Sequence, residues 1–279
     1  MNSKVYTPSN NETLIGMFRS IFRGMSDGKS LAFQLFRRDL KASFEASLLG
    51  FLWLFMPALA AAGIWILLNQ QRVISVTSGQ MAYPAFVLIG TTLWTIFTES
   101  LNKPILRYKA AMPLMTKLNF PREALLLASF YDMLFSVFVK LLVLLPLLLI
   151  LGIEPSWSWL WMYPVAIGVV FTGLAIGVFI SPLGILFNDV SRAINLLLPF
   201  MMYLTPVVYA IPKEGVLGTA QSFNPVTAWL ELGRTCIGNI PFDMQTSLLV
   251  WLPITLLLLL VGLIMLRIAL PIIVERSGS

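Results

Sequence analysis

Histidine is absent from this 279-residue chain, and cysteine occurs once, as Cys236. A single thiol cannot close an internal disulfide, and without imidazole partners it cannot complete an ordinary zinc site. Cys236 therefore reads as a small packing residue, and no metal centre is expected. Charge is scarce as well: Asp, Glu, Lys and Arg make up 11% of the chain, where a soluble domain carries about 25%. The thirteen acids are scattered, without the carboxylate pair or metal cluster that a membrane-embedded glycan-modifying enzyme needs. The first 30 residues lack the 7–15-residue apolar core of a cleavable signal peptide, so the polar opening is expected to remain as a tail.

An ATP-burning motif is also missing. The stretch "RGMSDGKS", Arg23 to Ser30, approaches the phosphate-cradling pattern G-x-x-x-x-G-K-[ST], but Gly24 and Gly28 stand one residue too close. No buried strand precedes it, as a P-loop requires. The expected structure is a turn at Ser26-Asp27-Gly28, with Ser30 capping the helix that follows. The chain is not expected to be an ATPase by itself.

What the chain has in quantity is apolar length. Hydrophobic residues make up 58%, and several runs reach the roughly 20 residues a helix needs to cross a hydrocarbon core about 30 Å thick. Hydropathy predicts an all-α integral membrane protein with six spans, at about 48–69, 83–101, 124–151, 159–187, 193–209 and 248–266. The net charge of +6 does not point to nucleic acid, because most of the basic residues fall into two blocks. One is N-terminal, with Lys4, Arg19, Arg23, Lys29, Arg37, Arg38 and Lys41. The other follows the second span, with Lys103, Arg107, Lys109, Lys117 and Arg122. The positive-inside rule puts both blocks and both termini in the cytoplasm. Trp157, Trp159, Trp161 and Tyr163 in "SWSWLWMY" then read as an aromatic belt at the outer interface.

Two cytoplasmic surfaces suit a soluble partner. Residues 30–47, "SLAFQLFRRDLKASFEAS", place Phe33, Phe36, Leu40, Phe44 and Leu48 on one helical face, with Arg38, Lys41 and Glu45 on another. This is the pattern of an amphipathic helix lying in the membrane interface; the alternative is a cytoplasmic extension of the first span. The basic connection over 102–123 holds Pro104, Pro113 and Pro121 and is longer than the usual 2–8 residues between helices.

Three motifs resemble permease subunits of polysaccharide-exporting ABC transporters. "RRDLKASFEASLLGFLWLFMPAL" looks like the family's basic helix and Ser-x-Leu-Gly-x-x-Trp pattern, supplied by Ser47, Leu49, Gly50 and Trp53, with Pro57 after it. The double leucine offsets the match by one residue. "FNDVSRAINLLLPFMMYLTPVVYAIP" is similar to the Asp–Arg turn and outer Ser/Thr-Pro-x-x-Tyr element, and "NPVTAWLELGRTCIGN" to the final re-entrant helix. The resemblance covers most of the chain from about Ser30. It implies a homodimer of six-span subunits driven by two copies of a separate ATP-binding subunit, which would hold ATP and magnesium; no cofactor is implied in this chain. It also implies export of a lipid-linked polysaccharide of O-antigen type across the inner membrane, teichoic acid and capsule export being the nearest alternatives. The organisation follows: a cytoplasmic tail over 1–29, the interface helix over 30–47, the six-span domain over 48–268 with a re-entrant outer region at about 210–247, and a cytoplasmic tail over 269–279.

A glycan conduit needs flat apolar faces for sugar rings and a few hydrogen-bonding tips, which Tyr and Trp combine. Phe200, Tyr203 and Tyr209 are the first candidates, then Phe51, Trp53 and Trp94. Lys140 joins them because an ionisable group deep in a span faces the bundle interior or water by default. Asp132, two turns away and rotated from it, is not expected to pair with it. Arg37, Arg38, Lys41, Lys103, Arg107 and Lys109 are the candidates for docking the ATP-binding subunit. A small-molecule ABC permease and a non-transporting scaffold remain as other readings of the same chain.

Overall fold

The computed structural model describes residues 14–45, 50–72, 81–117, 120–211 and 215–278. Among them every regular element is helical, and no strand occurs. Among the described residues four helices are long and apolar enough to cross a membrane: Tyr83–Met115, Glu123–Ile150, Trp157–Leu186 (a 3₁₀ turn running into a helix) and Gln245–Glu275. The chain is therefore a multi-pass membrane protein.

At the N-terminus, α1 (Leu14–Asp27) and α2 (Lys29–Glu45) meet at Gly28. The Gly28 N–H donates to the Gly24 carbonyl at 2.9 Å, and the Gly28 carbonyl accepts from the Ala32 N–H at 2.8 Å. Arg23–Ser30 is thus helix, turn and helix, unlike the strand, loop and helix of a phosphate cradle. Ser30 lies within α2 and does not cap it. The second half of the expected tail is itself a helix, with Ile21 buried. Towards the bundle α2 presents a face other than the one expected to meet the membrane interface. Ala32 and Leu35 are buried while Phe33 is 54% exposed. Phe33 and Phe36 instead lie beside Tyr131, at ring distances of 6.3 and 6.2 Å, so α2 rests along the following long helices by one edge. The Phe44 side chain and Leu48 lie outside the described residues, as do Ser47 and Leu49.

The expected first span is a 3₁₀ turn, Gly50–Leu54, followed by α3 (Met56–Gln70), with Pro57 in its first turn. Fifteen residues reach only about 22 Å at 1.5 Å each, short of a full crossing. The second span does not stop near residue 101. It continues as α4 (Tyr83–Met115) through Pro104 and Pro113, so most of the expected basic loop is helix. Tertiary contact outweighs the two prolines here, since the faces carrying Lys103 and Arg107 are held against the next helix. That helix, α5 (Glu123–Ile150), and α6 (Met162–Leu186) follow expectation closely. Helix α7 (Asn188–Leu204) is again short, with 17 residues, and ends before Thr205, whose extended backbone is the conformation preferred ahead of proline.

Beyond it lie α8 (Val216–Ser222) and α9 (Pro225–Gly238), broken at the expected Asn224-Pro225. Asn224 caps α9, its side chain accepting from the Val226 N–H at 2.9 Å, and Pro225 occupies the first helical position, where no N–H is needed. Asn239, with φ of 51°, closes the helix in the left-handed conformation. Helix α10 (Gln245–Gly278) completes the chain. Helix α4 is the central element, buried along most of its length and packed most extensively on α6, which packs in turn on α10. Helix α10 exposes Leu249, Val250, Leu252, Leu256 and Leu257, as a helix that faces hydrocarbon does. Of the aromatic belt, Trp157 and Trp161 are exposed, whereas Trp159 turns inward and donates from Nε1 to the Ile237 carbonyl at 3.3 Å.

Candidate functional site

Two helical ladders of polar residues dominate one end of the α4–α5 pair. Glu99, Lys103 and Arg107 recur every four residues on α4, and Asp132, Ser136 and Lys140 do so on α5, so each trio shares a face. The helices run antiparallel, which sets Glu99 beside Lys140 and Arg107 beside Asp132. Lys140 Nζ lies 2.5 Å from Glu99 Oε2, and the Ser136 hydroxyl donates to the same oxygen at 2.9 Å. Asp132 Oδ2 takes Lys103 at 3.0 Å and the Arg107 guanidinium more closely still. Arg107 also reaches Asp39 Oδ2 of α2 at 3.0 Å, and Arg38 holds the other Asp39 oxygen at 2.7 Å. The network therefore ties α2 to both long helices. Burial sharpens it: the Lys140 side chain is fully buried, and those of Arg107 and Asp132 are 7% and 9% exposed. A charge so placed persists only with a partner.

The candidate docking residues separate into two groups. Arg37, Arg38 and Lys41 are exposed on α2, with Lys41 paired to Glu45 at 3.2 Å. Lys103 and Arg107 are spent on the inner network. Lys109 reaches across to the start of α7, donating to Asn188 Oδ1 at 3.0 Å and to the Ser191 hydroxyl at 2.8 Å. At the same end, Arg267 of α10 lies 3.4 Å from Glu123, and the Tyr108 hydroxyl donates to the Arg122 carbonyl at 3.2 Å. Burial pushes the Arg122 guanidinium down from its ordinary range, with Glu123, Tyr108 and Glu275 opposing the shift.

The candidate path aromatics also separate. Phe200 and Tyr203 are 62% and 55% exposed on α7, a helix with no buried residue. The Tyr203 ring stands 6.1 Å from Trp65 of α3. Tyr209 is half-buried: its hydroxyl donates to the Tyr203 carbonyl at 2.5 Å and accepts from Gln221 Nε2 at 2.6 Å. Trp94 sits in the core against Phe97, 5.4 Å between ring centres, so within one subunit it faces no opening. Trp53 is 59% exposed in the 3₁₀ turn before α3. The Phe51 side chain lies outside the described residues.

No protein-family model matches the chain. Three curated relatives do, each named an O-antigen export system permease protein RfbA. One, from Myxococcus xanthus, is 25% identical over 216 residues, covering 75% of this chain and 80% of the relative. A second, from Klebsiella pneumoniae, is 28% identical over 204 residues, or 70% and 76% of the two chains. A third, also from Klebsiella pneumoniae, is 25% identical over 207 residues, or 72% and 78%. This chain is similar to O-antigen export permeases.

In a permease-like chain the residues that sequence reasoning passed over are those that hold the bundle together. Glu99 was not singled out, although its four-residue spacing to Lys103 and Arg107, set against Asp132–Ser136–Lys140, carries the signal for an antiparallel pair. Arg234 of α9 is the other. Its guanidinium is buried, with one nitrogen 2.6 Å from Glu231 and another donating to the Val207 carbonyl at 2.7 Å, while its carbon lies 3.4 Å from the centre of the Phe86 ring. The contact clamps the 205–208 segment between α9 and α4. It needs Gly90 on α4, where a Cβ would come within 2.0 Å of the Val207 oxygen. The Glu…Arg spacing in "WLELGRT" was visible, but nothing local showed that Arg234 points inward.

Proposed function

We propose that this chain is the membrane-embedded permease subunit of an ABC transporter that exports a lipid-linked polysaccharide of O-antigen type across the inner membrane. The observation that carries the reading is the similarity to three O-antigen export permeases over 70–75% of this chain, together with four membrane-crossing helices. The working unit is a homodimer joined by two copies of an ATP-binding subunit that supplies ATP and magnesium. Both termini lie in the cytoplasm, α3 and α7 complete the six-helix plan, and α8 and α9 form the re-entrant outer region. Thr205, Gln221, Asn224 and Arg234, all engaged in bonds to that region, favour this placement, because non-helical backbone at membrane depth must be buried in protein or lined by water.

Within this reading the exposed α7 face with Phe200 and Tyr203, and Trp53 beyond α2, border the glycan path where two subunits meet. Lys140, Tyr209 and Trp94 support that path from behind. The exposed face of α2 meets the ATP-binding subunit, and the inner network carries its movement to α4 and α5. Arg37→Glu with Arg38→Glu should therefore cut recovery of the ATP-binding subunit in a pull-down by about tenfold, as reversing rim charges does at charge-steered interfaces. An unchanged yield argues against α2 as the docking face. Disruption of the gene should abolish surface polysaccharide and leave glycan on its lipid carrier inside the cell. The purified chain should hydrolyse ATP only with its partner. Normal surface polysaccharide in the disrupted strain would overturn the substrate assignment.

A further inference from the structure

A cavity of about 470 Å³ opens between α2, the 3₁₀ turn at Gly50–Leu54, α4 and α5. That is within the range of small-molecule sites, roughly 300–1,000 Å³. Its wall combines five kinds of group. Glu99 and Asp132 supply carboxylates, Thr98 and Asn102 a hydroxyl and a carboxamide, Lys103 an ammonium, and Trp53 an indole. The carboxylates are immobilised from behind. The bonds to Glu99 fall on Oε2, from Lys140 and Ser136, and those to Asp132 fall on Oδ2, from Lys103 and Arg107. An oxygen of each is thereby left for a donor in the cavity.

We propose that this cavity binds one or two neutral sugar units of the exported chain, its fixed carboxylates and Asn102 accepting sugar hydroxyls while the Trp53 indole covers a ring face. The proposal rests on the export reading and locates a substrate site for it. Charge balance selects the ligand class. The cavity wall carries three carboxylates, Asp39, Glu99 and Asp132, against one cation, Lys103, and each cation of the network, Arg38, Lys103, Arg107 and Lys140, already faces one of those acids. A phosphate-bearing lipid headgroup would meet three carboxylates with no free positive charge to offset them. A hydroxyl-rich neutral ligand meets rigid acceptors and needs no counter-charge. Acceptors already ordered by the protein bind such hydroxyls without first giving up their own freedom. The indole adds an apolar face with low conformational cost.

The test uses the full-length chain in nanodiscs and a panel of neutral probes: oligosaccharides of hexoses, deoxyhexoses and N-acetylhexosamines. Saturation-transfer NMR measures binding, and surface polysaccharide is scored in cells carrying the same variants. Thr98→Val and Asn102→Leu remove hydrogen-bonding groups but leave every ion pair in place. Trp53→Ala, at a 59% exposed position, guards against misfolding of the other two. The expected result is saturation of at least one probe by the parent protein, with binding weakened roughly fivefold or more by each variant. Export should fall in parallel. The proposal is overturned if no probe binds, if the variants bind like the parent, or if phosphatidylethanolamine vesicles displace the sugar, which would make this a lipid-headgroup site. Each of these results leaves the export reading standing so long as the parent gene restores surface polysaccharide. Failure of the parent gene to restore it would remove the export reading instead.

Discussion

Glu99→Ala should destabilise the folded protein by about 3–5 kcal/mol, the range for breaking a buried ion pair by removing one partner. The reason lies in which partner stays behind. The Lys140 side chain is fully buried, and the carboxylate 2.5 Å away is its counter-charge; without it the ammonium must lose its proton or open the bundle to water. The reverse substitution is milder. Lys140→Met fills the same space with an apolar chain, and the Glu99 side chain, 34% exposed, can rehydrate while still accepting from Ser136. Glu99→Gln combined with Lys140→Met should therefore recover most of the stability that Glu99→Ala loses. Thermal unfolding of the four purified proteins in one detergent checks the order. Identical melting of Glu99→Ala and the parent would mean that Lys140 finds another partner, and that the ladder pairing does not lock α4 to α5.

A comparable loss should follow Gly177→Leu, through packing and not charge. Gly173 and Gly177 stand one turn apart on α6 against α4, the most extensive helix contact in the molecule. A Cβ at Gly177 would lie 2.2 Å from the Leu101 carbonyl oxygen, and one at Gly173 would lie 2.7 Å from that of Phe97. Both obstacles are backbone, so no side-chain rotation relieves them. In a membrane, helices associate through such close backbone approach, because apolar burial gives little drive when lipid is the alternative. Gly177→Ala should cost about 1–3 kcal/mol as overpacking; Gly177→Leu should separate the helices and abolish folded yield. Gly63→Ala on α3 is the control. Nothing lies within 4 Å of a Cβ there, so the added helix propensity should stabilise by about 0.5–1 kcal/mol. Size-exclusion profiles and melting curves read all three. A monodisperse, parent-like Gly177→Leu would show that α4 and α6 are not held by close contact.

The two predictions turn on residues that the sequence presents very differently. Lys140 announced itself, because a charge inside a long apolar run must face the interior. Its partner did not, since Glu99 lies near the end of the preceding span, where an acid is unremarkable. Pairing needed the register of α4 against α5, which is a property of two helices and not of either alone. The same holds for Arg107. In the sequence it belongs to a basic block suited to docking. In the structure it is buried between Asp39 and Asp132, because α4 continues past Pro104 and carries it into the bundle.

The apolar runs alone determined the helical class, the membrane environment and the limits of α5 and α6, because a segment of that length and polarity has few stable conformations in lipid. The motif at Asn224-Pro225 determined the break before α9, since a cap and a following proline act on their own backbone. Which face each helix buries was decided only by tertiary contact. Helix α2 packs through Ala32 and Leu35 and leaves Phe33 outside, and α4 stays helical across a proline. The scattered charges gather into one network by the same means. Local sequence sets what a segment can be, and partners brought from far along the chain set which way it faces.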